Sequence, residues 1–142
     1  MNPRATEFRL SLVALALGAA LLAGCGDNPA KLVASGKEYL AKGDDKAAVI
    51  QLKNALQKEP DNGEARLLLG EAQLRTGDFP AAEKELVRAL ELGRSPDVVL
   101  PLLAQALFDQ GKVAELVKTY GTRTLQNPAA QARLQAYLGD AY

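Results

Sequence analysis

Only one side chain in this sequence is a strong nucleophile by type, and it stands alone. Cys25, in the stretch "LLAGCGD", has no second thiol to pair with, so an intramolecular disulfide is excluded. The 142 residues contain no histidine. Without an imidazole there is no His general base, no Ser-His-Asp or Cys-His arrangement and almost no zinc chemistry. The sequence also lacks a P-loop, a glycine-rich dinucleotide turn, a paired-carboxylate site and any metal-ligand spacing. The nearest approach to a cation site is the acid pair Asp44-Asp45 in "GDD", but the same slot reads "GDF" at 77–79 and "GKV" at 111–113. A turn followed by a helix cap accounts for that pattern better than a metal. No catalytic residue, cofactor or metal is therefore expected. Lys+Arg and Asp+Glu are 17 each, so no positive excess is available for a phosphate backbone, and nucleic acid is not an expected partner.

The surroundings of Cys25 give it a different role. Arg4 and Arg9 precede it, and Leu10 to Ala23 carry no charge and are rich in Leu and Ala. That run is short of the roughly 20 residues a spanning helix needs. A charged start, a short apolar run and small residues at its end are the pattern of a secretory signal. The tetrad "LAGC" at 22–25 resembles the bacterial lipobox. The resemblance implies cleavage before Cys25, a diacylglycerol on its sulfur and an acyl group, such as palmitate, on the new amine. Each buried CH2 contributes about 0.8 kcal/mol, so two or more chains hold a protein stably to a membrane. Cys25 then reads as an anchor and not as a reactive thiol. Residues 1–24 are expected to be a signal peptide and 25–29 a lipidated tether. Gly26, not an acid, follows the cysteine, which favours the outer over the inner membrane as the site of anchoring.

Beyond the tether the sequence repeats. Gly43, Gly77 and Gly111 are 34 apart, as are Gly36, Gly70 and Ala104. Ala48 pairs with Ala82, Leu52 with Leu86 and Ala55 with Ala89 at the same spacing, so "GKEYLAKGDDKAAVIQLKNAL" overlays "GEAQLRTGDFPAAEKELVRAL". This pattern resembles tetratricopeptide repeats, pairs of antiparallel helices. The resemblance implies an all-α solenoid over 30–142, with repeats at about 29–62, 63–96 and 97–131 and a partial repeat at 132–142. Helices are expected at 30–42, 44–58, 63–76, 78–92, 97–110, 112–125 and from 129 onward. Small residues at 36, 48, 70 and 82 suit close helix crossings. Gly43, Gly77 and Gly111 suit left-handed helix ends, and Asp44 and Asp78 suit caps or first-turn acids. Pro60 and Pro128 are expected to stop the second helices. Pro101 is tolerable only in a first turn, which puts the start of its helix near Asp97 or Val98. The third pair departs from the pattern. Leu116, Tyr120 and Arg123 occupy the columns of Ala48/Ala82, Leu52/Leu86 and Ala55/Ala89, so its second helix is expected to pack less closely.

Stacked helix pairs present a groove lined by the first helix of each pair. The inner-face candidates are Val33, Lys37 and Leu40, then Leu67, Glu71 and Leu74, then Pro101, Gln105 and Phe108. This lining lacks the Lys/Asn/Arg set with which chaperone-binding members of the superfamily clamp a terminal carboxylate. Either this lining binds an apolar helix or extended segment, or much of it packs against further repeats.

The run from "NPAKLVASGKEYLAKGDDKAAVIQLKNAL" to "LVRALELG" behind the lipobox, with its continuation "SPDVVLPLLAQAL", resembles the N-terminal part of the PEP-CTERM/exosortase-system TPR-repeat lipoproteins of Gram-negative bacteria. The resemblance implies a non-enzymatic, periplasm-facing scaffold with envelope proteins as partners, linked to exopolysaccharide production and envelope protein sorting. The alternatives are a repeat lipoprotein of another envelope machine, of the pilus-pilotin or outer-membrane-assembly type, and an accessory domain of a longer enzyme. At the other end, Leu134, Tyr137, Leu138, Ala141 and Tyr142 share one helix face. An open apolar stripe is expected there, and with it a chain that continues past Tyr142.

Overall fold

The computed structural model describes residues 28–140. Cys25, the apolar segment before it, Ala141 and Tyr142 lie outside the described residues. The described chain is seven helices without a strand: α1 (Pro29–Ala41), α2 (Asp45–Lys58), α3 (Gly63–Arg75), α4 (Phe79–Glu91), α5 (Pro96–Asp109), α6 (Val113–Tyr120) and α7 (Pro128–Gly139). None of these helices is long and apolar enough to cross a membrane.

Local chemistry fixes the helix ends. Asn28, Asp44, Asn62, Asp78 and Asn127 each accept hydrogen bonds from backbone amides in the first turn of the helix that follows, as expected of short polar caps. Asp44 takes the Ala47 amide at 3.1 Å, and Asp45 lies 3.5 Å from Arg75, so the acid pair is held by protein groups. Gly43, Gly77 and Gly111 have φ of 76°, 79° and 73°. At each of them the glycine amide and the next amide bond back to carbonyls of the preceding helix, for example Gly43 N–H to Leu40 and Asp44 N–H to Tyr39. This is the left-handed closure that satisfies the last carbonyls of a helix.

The seams of the first two pairs are as tight as the small residues allow. A Cβ on Gly36 would lie 2.7 Å from Leu52 Cγ, and one on Gly70 would lie 2.6 Å from Leu86 Cγ. Ala48, Leu52 and Ala55, and their counterparts Ala82, Leu86 and Ala89, are fully buried. One apolar cluster runs through α1, α2 and α3, and a second through α3 to α7.

Three expectations are corrected in the third pair. Its first helix opens at Pro96, so Pro101 stands in the second turn, inside the helix and buried. The proline removes the amide that would bond the carbonyl of residue 97, and close packing of its ring offsets that loss. The second helix ends at Tyr120, five residues before the expected 125. Arg123 cannot enter the buried column of Ala55 and Ala89, so the chain turns at Gly121 and buries Leu125 instead. Pro128 does not stop that helix; it is the first residue of α7. In place of a helix, 121–127 is pinned to α5. The Asp97 carboxylate accepts the Gln126 and Asn127 amides at 2.9 and 3.2 Å, and Gln131 Oε1 accepts the Leu125 amide at 2.6 Å. As a result α5 packs more extensively on α7 than on α6.

The apolar stripe of α7 is not open over its described length. Leu134 and Leu138 are buried, and the ring of the half-buried Tyr137 lies 5.8 Å from that of Phe108. The face that looked unpartnered in the sequence is the face that docks on α5.

Candidate functional site: the inner face of α3, α5 and α7

The first helices of the pairs form one layer, and the candidate groove residues on them divide into two sets. Val33, Leu40, Leu67, Leu74 and Pro101 are buried. They face the inter-helix seams, because the positions one turn apart on the inner side also meet the next helix of the layer. Of these, only Leu74 reaches a surface hollow. The polar row is outward. Lys37 is exposed and ion-paired to Glu64, and Glu71 pairs with Arg75 on the next turn. Gln105 and Phe108 are half-buried, Gln105 at a hollow and Phe108 against Tyr137.

Two hollows open on this layer and share Glu71, Leu102 and Arg133. One, of about 400 Å³, adds Asp97, Val98 and the start of α7; the other, of about 230 Å³, adds Leu74, Arg75 and Gln105. Together they make a trough across α3, α5 and α7. Val98 and Leu102 form its apolar floor, and Val98 is one of two large apolar side chains that are highly exposed among the described residues, at 50%. The charges around that floor are unequal in freedom. Glu71 is engaged by Arg75, and Asp97 by two backbone amides. Arg133 pairs with no carboxylate among the described residues. Burial raises the pKa of Tyr137 on the neighbouring turn above its usual 10.0, with Asp109 acting in the same direction and Arg133 opposing.

The arrangement offers contact area, one unpaired guanidinium and an amide at Gln105. It can hold an apolar segment bearing a carboxylate. The groove shifts toward the second half of the array relative to the sequence expectation, and Val33, Lys37, Leu40, Leu67 and Phe108 do not line it. Val98, Leu102 and Arg133 were missed. The signal for the first two was present: "VVLPLL" at 98–103 holds more apolar side chains than one buried helix face can absorb, so some must face outward.

No curated protein matches this chain. Residues 39–99 match the family model of the tetratricopeptide repeat, from the last turn of α1 to the first turn of α5. With its capped antiparallel pairs and glycine-closed helix ends, the described chain is an all-α tetratricopeptide-repeat solenoid.

Proposed function

We propose that this protein is a non-enzymatic scaffold, held to the outer membrane through a lipidated Cys25 and facing the periplasm, which gathers envelope proteins on the inner face of its solenoid. The observation that carries the reading is the trough over α3, α5 and α7, an apolar floor at Val98 and Leu102 beside the unpaired Arg133. A repeat solenoid is suited to protein–protein interaction because its stacked helices present an extended, pre-formed surface. The anchor is supported by "LAGC" at the end of an uncharged run, and balanced charge argues for protein partners over nucleic acid. The resemblance of the chain to PEP-CTERM/exosortase-system lipoproteins supports a role in exopolysaccharide production and envelope protein sorting.

Two measurements test this reading. Metabolic labelling with a fatty-acid analogue should mark the wild type and not Cys25→Ala; equal labelling would remove the anchor. Affinity purification from membranes should recover a defined envelope partner with the wild type, and about tenfold less with Leu102→Asp. Equal recovery by a variant with an unchanged helical spectrum would contradict the inner-face site.

A further inference from the structure

The third pair leaves a further surface hollow, away from the inner face. In the first two pairs the columns Leu52/Ala55 and Leu86/Ala89 close the seam completely. In the third pair those columns hold Tyr120 and Arg123, and α6 ends at Tyr120. Where the earlier repeats are packed shut, a hollow of about 220 Å³ remains, lined by Leu90, Pro96, Leu100, Tyr120 and Arg123. It shares no residue with the trough of α3, α5 and α7.

The chemistry of the walls restricts the occupant. Four of the five lining residues are largely apolar, so the walls offer water few hydrogen-bond partners. An aliphatic chain or a single aromatic ring suits the space better. The polar end is well defined. Arg123 is exposed and pairs with no carboxylate among the described residues, whereas Arg66, Arg75 and Arg88 are each ion-paired. The lining itself contains no carboxylate. Burial raises the pKa of Tyr120, with Glu115 and Glu83 acting in the same direction and Arg123 opposing, and its phenol is a donor at neutral pH. A planar guanidinium matches the two oxygens of a carboxylate.

We propose that the hollow between α4, α5 and α6 is a binding site for an apolar monocarboxylate, with its hydrocarbon body against Leu90, Pro96 and Leu100 and its carboxylate on Arg123 and the Tyr120 hydroxyl. This chemistry occurs in a free carboxylic acid and in the terminus of a chain ending in a large apolar residue. The site is independent of the scaffold reading.

Calorimetric titration of the full chain, with injections into buffer alone subtracted, tests it. The ligands are 4-phenylbutyrate, its amide, and the tripeptide Gly-Gly-Phe with a free carboxylate. Saturable binding of the acid is expected, at least about tenfold tighter than the amide, since a hydrogen bond to a charged group contributes more than a neutral one. Arg123→Gln should weaken the acid by about the same factor, while Arg133→Gln, on the inner face, should leave it unchanged. A tripeptide tighter than the acid assigns the ligand to a chain terminus, and a weaker one to a free acid. No saturable binding, equal binding of acid and amide, or an unchanged affinity in Arg123→Gln would overturn the proposal. Arg123 is exposed, so its replacement leaves the core intact; Tyr120→Phe, which keeps the ring and removes the donor, serves as a second variant and should also weaken the acid.

Discussion

The first two helix pairs and the third use the same columns for opposite purposes. In α1 to α4, glycine faces leucine across each crossing, with Gly36 under Leu52 and Gly70 under Leu86, and the seam closes without a gap. In α5 and α6, Ala104 replaces the glycine, Leu116 fills the column of Ala48 and Ala82, and Tyr120 and Arg123 displace the seam toward solvent. The shortened α6 then hands its packing to α7 through Leu125, Leu134 and Leu138. The inner trough at Arg133 and the hollow at Arg123 both draw on this half. Close packing shuts the seams of the first two pairs, and relaxation of the same pattern leaves a hollow at the third.

The comparison is broken or sharpened by mutation. The largest effect belongs to Leu86→Ala, which empties a fully enclosed site and should cost about 2–5 kcal/mol in a urea titration. Tyr120→Ala, in the same column but at the surface, should cost clearly less. Equal losses would mean that the third seam is as closed as the second. Next comes overpacking. Ala82→Leu should cost about 1–3 kcal/mol, and Ala81→Leu, one position away and only half-buried, should cost less. Thermal melts that fail to separate the two would place the crossing elsewhere. Smaller still is a glycine pair. Gly77→Ala forces a side chain onto a φ of 79° and should cost about 1 kcal/mol. Gly139→Ala, where an added Cβ meets nothing, should be neutral or stabilising.

The smallest effect is a pH dependence confined to the second half. Tyr120 and Tyr137 both have pKa values raised above 10.0, chiefly by burial, which favours the neutral phenol in the folded state. Their contribution is complete below pH 10 and is lost as pH rises through the folded-state values. Melts between pH 8 and 11 should fall more steeply for the wild type than for the Tyr120→Phe, Tyr137→Phe double variant. Parallel curves would place both phenols in solvent.

The period of 34 carried much of the fold, because each repeated residue type answers one physical demand: glycine for a left-handed end, aspartate for a cap, small residues for a crossing. Where a column changed type, the sequence showed the departure but not its resolution. Nothing local announces that Asp97 will cap the start of α7, since its partners at Gln126 and Asn127 lie far along the chain. Of the expected groove residues, Glu71, Leu74 and Gln105 line the trough. Inner-face spacing selects residues one helical turn apart, but the same spacing also selects those that meet the neighbouring helix, and Val33, Leu40 and Leu67 went to the seam. The surplus of apolar residues in α5 was the better guide to Val98 and Leu102.

The central claim, that the inner face of α3, α5 and α7 holds a protein partner, is tested most directly by site-specific photo-crosslinking in intact cells. Among the described residues Val98 and Ile50 are the two highly exposed large apolar side chains, 50% and 57% accessible, and Ile50 lies on α2, outside the inner layer. A photoreactive residue at 98 should yield a discrete crosslink to one envelope protein, abolished by Arg133→Glu, while the same residue at 50 should yield none. A crosslink at 50 and not at 98, or one at 98 that survives the loss of Arg133 undiminished, would contradict the account.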